Sequence, residues 1–109
     1  MVGKVRQRLS RLKDLAETPE QRQQAETGAL RSAVMLNNHE EVVHVSTAIL
    51  ADAKVMPELA NEARYYRAKS LTEVGEKALA LEDWKILSAD PRNVYGAEAK
   101  YRLAQALYD

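Results

Sequence analysis

The two histidines of the chain, His39 and His44, bracket the stretch HEEVVH, and histidine combined with glutamate is the material of zinc hydrolase centres. A zinc-binding His-Glu-x-x-His needs its histidines four residues apart, so that both imidazoles leave one face of a helix. A spacing of five puts these about 140° apart around a helix axis, and no further ligand cluster follows them, so no metal site is expected. The other reactive patterns are also missing. There is no glycine-rich phosphate loop and no nucleophile with an evident base, and the scattered Glu and Asp are of the kind common on helix surfaces. Without cysteine, disulfides and thiolate ligands are excluded. The residues therefore point away from an enzyme, a metal or a cofactor, and the histidines read as solvated or capping side chains.

Charge narrows the partners. Lys4, Arg6, Arg8, Arg11 and Lys13 form a basic run ahead of the first acid, Asp14. With Val5, Leu9 and Leu12 interleaved, the run reads as an amphipathic helix with a solvated basic face, an anionic partner being the alternative. It carries no aromatic positions on which bases would stack. Over the whole chain 16 basic and 16 acidic residues cancel, so no net field draws the molecule to nucleic acid or an anionic membrane. No stretch approaches the roughly 18 apolar residues of a membrane span, and the N-terminus lacks an apolar signal core. The 109 residues read as one soluble domain without membrane insertion.

The elements that would position any binding residue are helical. Three prolines and four glycines interrupt a sequence dominated by strong helix formers. Apolar residues recur at spacings of three and four: Val5, Leu9, Leu12 and Ala16; Ala29, Leu30, Ala33 and Val34; Val42, Val45, Ile49 and Leu50; Leu59, Ala63, Tyr66 and Val74; Ala80, Trp84 and Leu87; Ala99, Leu103, Ala104 and Leu107. Thr18, Pro19 and Gln21 spell an N-cap, a first-turn proline and a capping-box partner. Asn37-Asn38 and Gly75 mark turns, and Pro57 and Asp90-Pro91 mark further boundaries. Six helices are predicted, over 4–17, 20–36, 40–52, 58–74, 77–88 and 95–108.

Alternate helices repeat. Val5, Leu9 and Leu12 correspond to Val42, Ser46 and Ile49 at an offset of 37, and those to Ala80, Trp84 and Leu87 at an offset of 38. In the intervening helices ARYYRAKSL from Ala63 is echoed by AKYRLAQAL from Ala99, an offset of 36. Two helices and a tight turn per unit, repeated at these nearly equal offsets, signal a helical solenoid.

On these residues the chain resembles the tetratricopeptide repeat family. Ala80, Trp84 and Pro91 match the signature of the family's second helix, and Lys100, Leu103, Ala104 and Leu107 keep the spacing of its first. Arg64, Arg67, Ala68 and Leu71 occupy the same places one unit earlier. An arginine where the family prefers leucine must snorkel or find a local partner. Val42 and Ser46 replace the family's Ala and Phe, the units are longer than its usual repeat, and other helical-pair repeats share such a period. The resemblance implies an all-α, right-handed superhelix of antiparallel helix pairs. Ala68 and Ala104 would admit a neighbouring helix, Trp84 would fill the space between pairs, and the first helix of each unit would line a concave face. The stretch GAEAKYRLAQALYD is similar to repeats of bacterial cell-envelope proteins, which leaves envelope, periplasm and cytoplasm all open.

The function so implied is a non-catalytic scaffold that binds a peptide or helix on the concave face. Its residues would be Glu62, Tyr65, Lys69 and Thr72, then Glu98, Tyr101, Gln105 and Tyr108, with Arg31 and Thr27 from the earlier unit. Tyr65 and Tyr101 are the expected anchors, because tyrosine offers area and a polar tip at little entropic cost. Packing between helices is the competing role for both. The alternative function is structural self-association. Residues 1–109 read as one array, expected as a fragment of a longer one, whose terminal helices leave Leu9, Leu12, Leu103, Leu107 and Tyr108 under-covered.

Overall fold

In the computed structural model of the chain, which describes residues 18–90 and 92–108, Thr18 opens the first helix with a reciprocal cap. Its Oγ1 accepts from the Gln21 amide at 3.1 Å, and Gln21 Oε1 accepts from the Thr18 amide at 3.0 Å. Pro19 follows at the first helical position, where a missing N–H costs nothing. The helices are α1 (Pro19–Met35), α2 (His39–Ala51), α3 (Pro57–Glu73), α4 (Lys77–Ala89) and α5 (Gly96–Tyr108), and no strand occurs among the described residues. Each of the five lies within one residue of its expected bounds. The expected helix over 4–17, with its basic run, and Pro91 lie outside the described residues.

The repeat is visible in backbone detail. α1 and α3 are 17 residues each and begin at Pro19 and Pro57; α2 and α4 are 13 residues each and begin, at the same offset, at His39 and Lys77. The turn after α1 is closed by Leu36 N–H on Ser32 O at 3.0 Å, Asn37 N–H on Val34 O at 3.1 Å and Asn38 N–H on Ala33 O at 3.0 Å. The turn after α3 makes the same three bonds with every partner moved on by that offset: Val74 on Ser70, Gly75 on Thr72 and Glu76 on Leu71. Both turns need one residue in the left-handed region, supplied by Asn37 at φ 54° and Gly75 at φ 90°. Between modules, Asp52 Oδ1 takes the Lys54 amide at 2.9 Å and Asp90 Oδ1 takes the Arg92 amide at 3.0 Å.

The step from α3 to α5, taken from Pro57 to Gly96, is one position longer than that from α1 to α3. The sequence echo pairs Ala63 with Ala99, which stand seventh and fourth in their helices. Both alanines are fully buried, so the echo preserves the face and misplaces the height by about one turn.

Among the described residues, backbones approach closely only between helices adjacent in the chain and between α1 and α3. Short turns make neighbours antiparallel, and each buried stripe is then shared with two others. One core gathers Leu30 and Ala33 of α1, Val42 and Ile49 of α2, and Leu59 and Ala63 of α3. The next gathers Ala68 and Leu71 of α3, Ala80, Trp84 and Leu87 of α4, and Ala99 of α5. α3 thus serves one core with its first half and the other with its second. The predicted second-helix positions Val42, Ser46, Ile49, Ala80, Trp84 and Leu87 are all exposed by 3% or less. Ala29 and Val74, expected in the stripes, are exposed instead; Val74 is the C-cap of α3.

Candidate functional site

Helices α1, α3 and α5 carry the residues expected to bind. Arg31 reaches from α1 to Glu62 on α3 with both arms of its fork, Nε to Oε2 at 3.1 Å and Nη2 to Oε1 at 3.0 Å. The Arg31 side chain is 64% exposed and that of Glu62 16%, so the pair lies at the surface with its carboxylate end sheltered. The hydrogen bond to Glu62, reinforced by its charge, holds the guanidinium pKa above its ordinary value.

The next link joins α3 to α5. Tyr65 donates its hydroxyl proton to Glu98 Oε1 at 2.8 Å. Its ring stacks on Tyr95 with centroids 4.4 Å apart and 17° between planes, and meets Tyr66 and Trp84 edge-on at 5.2 and 5.9 Å. Lys69 Nζ sits 5.2 Å from the same ring, and Arg102, 3.4 Å from Glu98, lies over Trp84. Burial first, then the hydrogen bond and charge of Glu98, push the Tyr65 hydroxyl up to about 12. Tyr95 is raised as well, by burial and then by the Glu62 carboxylate, which ties the aromatic stack electrostatically to the Arg31–Glu62 pair. Tyr65 is therefore a half-buried link between α3 and α5.

The remaining expected residues divide. Thr27 and Thr72 donate to carbonyls in their own helices, Gln23 O at 2.6 Å and Ala68 O at 2.8 Å. Tyr101 is 64% exposed and Tyr108 90%, so neither takes part in the stack. Thr72 and Gln105 line a cleft of about 500 Å³ with Trp84 and Arg102, between α4 and α5. A larger open groove of about 600 Å³ runs between α1 and α3, floored by Gly28, Met56 and Leu59 and edged by Thr27, Arg31 and Glu62.

Gln23, which the sequence reading passed over, builds the end of that groove. It is 7% exposed; its Nε2 donates to Lys54 O at 3.2 Å and its Oε1 accepts from Met56 N–H at 3.1 Å. The α2–α3 connection is thereby tied to α1, with both ends of the buried amide satisfied.

Comparison with protein-family models, curated proteins and solved structures returned no match.

A second residue that the sequence reading missed is Asp83. It is 2% exposed and takes Arg67 bidentately, Nε to Oδ2 at 2.8 Å and Nη2 to Oδ1 at 2.6 Å, with Arg64 Nε at 3.8 Å. Arg67 also donates to Thr47 Oγ1 at 3.4 Å, so one guanidinium joins α2, α3 and α4. Its pKa is raised, chiefly by the hydrogen bond to Asp83. Arg67 therefore has a local partner in Asp83.

The histidines do not converge. His39 Nδ1 lies 3.1 Å from Ser70 Oγ, while His44 is exposed on another face of α2. Among the described residues no group of three or more His, Asp or Glu is placed to hold a metal ion, and no helix is long and apolar enough to cross a membrane.

Proposed function

We propose that the chain is a non-catalytic protein-interaction scaffold in which helix pairs stack as a right-handed superhelix and a peptide or helix lies along α1, α3 and α5. The observation that carries this reading is the open α1–α3 groove, whose apolar floor of Gly28, Met56 and Leu59 is edged by hydrogen-bonding side chains. Arg31 and Glu62 satisfy each other in the free protein, so a partner's carboxylate or amide exchanges one good contact for another, and affinity comes from the floor and from exposed Tyr101. A displayed peptide library panned against the chain should enrich sequences whose binding, measured by fluorescence anisotropy, weakens at least tenfold in Leu59→Asn or Met56→Asp and less in Arg31→Ala. Enriched peptides indifferent to all three substitutions, or no enrichment, would overturn the reading.

A second reading, structural self-association, is favoured by α5. Tyr101, Leu107 and Tyr108 are 64%, 82% and 90% exposed on a single helix of 13 residues.

A further inference from the structure

Charge cancels over the whole chain but not in its clefts. The cleft between α4 and α5 is lined by Lys77 and Arg102 and, among the described residues, by no acid. The groove between α1 and α3 has the opposite sign: Glu20, Glu58 and Glu62 line it, with Arg31 as the one base among the described residues. Arg31 and Glu62 bind each other, which leaves the groove two carboxylates. Among the described residues neither Glu20 nor Glu58 has a hydrogen bond or an ion pair. They occupy equivalent places, second in α1 and second in α3. A carboxylate in the first turn is favoured by the helix dipole whatever faces it, so the two acids alone define no site.

The floor beside them adds what the acids lack. Met56 is 54% exposed and, with Leu59, offers apolar area to the groove. Between them and α1 lies Gly28, tenth of the 17 residues of its helix. Glycine inside a helix is destabilising relative to alanine. The fold does not ask for it here: its φ is not positive, and a Cβ built on it meets no atom of the described residues within 4 Å. What the missing side chain leaves is room on the floor of the groove, space for a side chain that arrives from outside the protein. From Glu20 to Gly28 the helix rises about 12 Å, a distance that an extended peptide covers in roughly three to four residues.

We propose that the groove takes an extended segment of a protein partner that carries a lysine or arginine and, three or four positions away, a large apolar side chain, the cation lying between Glu20 and Glu58 and the apolar group on Gly28, Met56 and Leu59. The proposal rests on the scaffold reading and names the chemistry of its partner. Exposed ion pairs add little to affinity, so the apolar seat holds the segment and the carboxylates choose it, turning away acidic sequences.

A displayed library of random heptapeptides, panned at low salt against the wild type and against a Glu20→Gln/Glu58→Gln double variant, tests the pairing. The wild type should enrich Lys or Arg three or four positions from a large apolar residue. The double variant should keep the apolar preference and lose the basic one. For the most enriched peptide, made synthetically and followed by fluorescence anisotropy, binding to the double variant should be roughly fivefold weaker, and the gap should close as salt is raised to about 0.5 M. Gly28→Leu puts a side chain of the protein's own into the seat. Its binding should fall by roughly tenfold or more, while its melting temperature rises because leucine is the better helix former. No basic preference in the wild type, or one that the double variant keeps, overturns the inference; the scaffold reading still stands if Leu59→Asn weakens the enriched peptides. A Gly28→Leu protein that binds as the wild type does places the segment outside this groove and overturns the inference as well. No enrichment at all overturns both.

Discussion

The α1–α2 and α3–α4 modules have one backbone and two interiors. At equivalent positions Leu30 and Ala33 become Ala68 and Leu71, while Val42 and Ser46 become Ala80 and Trp84. Bulk that the first module places at Leu30 is moved in the second to Trp84 on the opposite helix, where Ala68 makes room for it. Helix lengths, caps and turns set the register, and within that register volume can be exchanged between facing helices. The charged residues follow the same logic. The Asp83–Arg67 pair of the second module has Val45 and Ala29 at its equivalent positions in the first, so the same backbone carries an ion pair in one module and two uncharged side chains in the other.

The largest test of this equivalence is at Trp84. Truncation to Ala should lower the unfolding free energy by about 3 to 5 kcal/mol, read as a shift in the urea midpoint with circular dichroism. That is a large share of the roughly 5 to 15 kcal/mol typical of a folded domain. Transplanting the first module's solution sharpens the point: Trp84→Ser combined with Ala68→Leu should recover part of the loss. Failure to recover any would show that the two interiors are not interchangeable.

Next comes the buried ion pair. Asp83→Val alone strands the guanidiniums of Arg67 and Arg64, each only 22% exposed, and should cost about 3 kcal/mol. Adding Arg67→Ala removes the guanidinium that Asp83 holds bidentately and leaves only Arg64 without its carboxylate, so the double variant should regain part of that loss. A double variant as unstable as the single one would mean that Asp83 supports the fold by something other than its pairing.

What could be read from the sequence follows the same division. Thr18-Pro19-Gln21, Asn37 and Gly75 fix helix ends through bonds spanning a few residues, so the boundaries were legible to within a residue. Stripes at i, i+4 and i+7 gave the buried faces of α2 and α4 for the same reason. Contacts between helices one unit apart left weaker traces: Arg31–Glu62 and Tyr65–Glu98 were foreseen as one face and not as pairs. Asp83 sits in a helix among Glu82 and Lys85 and looks like a surface acid, although an arginine at 67 had either to snorkel or to find a local partner. Gln23 was invisible, since nothing in a polar run announces which amide will meet the Lys54 and Met56 backbone. Tyr65 and Tyr101 looked equivalent in the echo. They differ because Tyr65 has Tyr95 and Trp84 against it, whereas Tyr101 stands one turn out of register on a face that no described residue covers.

A smaller effect of opposite sign is expected at the position of Trp84 in the other module. Ser46 is fully buried, and its Oγ finds no hydrogen-bond partner among the described residues. A buried hydroxyl left unpaired is penalised relative to a methyl group. Ser46→Ala should therefore raise the unfolding free energy by about 1 kcal/mol, seen as a higher urea midpoint with an unchanged slope. A destabilised Ser46→Ala would mean that the hydroxyl has a partner.

The smallest effect is absent at neutral pH and appears only in alkali. The counterpart of Tyr65 in the first module is Thr27, which does not titrate, so alkaline sensitivity belongs to the second module. In the unfolded chain the Tyr65 phenol loses its proton near its ordinary value of 10.0, whereas the folded protein holds it to about 12 because the ring is partly buried and the hydroxyl faces Glu98. Between those values the folded state binds the extra proton, so its stability is full below the lower value and falls as pH rises through the upper one. Tyr95, also raised, adds to the same slope. Tyr65→Phe removes the larger contributor while keeping the stacked ring. The variant should lose less stability than the wild type between pH 10.0 and about 12, and the ultraviolet phenolate absorbance should lose its latest-titrating component. An alkaline arm unchanged by Tyr65→Phe would place the sensitivity elsewhere and would make the second module's polar aromatic interior no more responsive to pH than the aliphatic interior of the first.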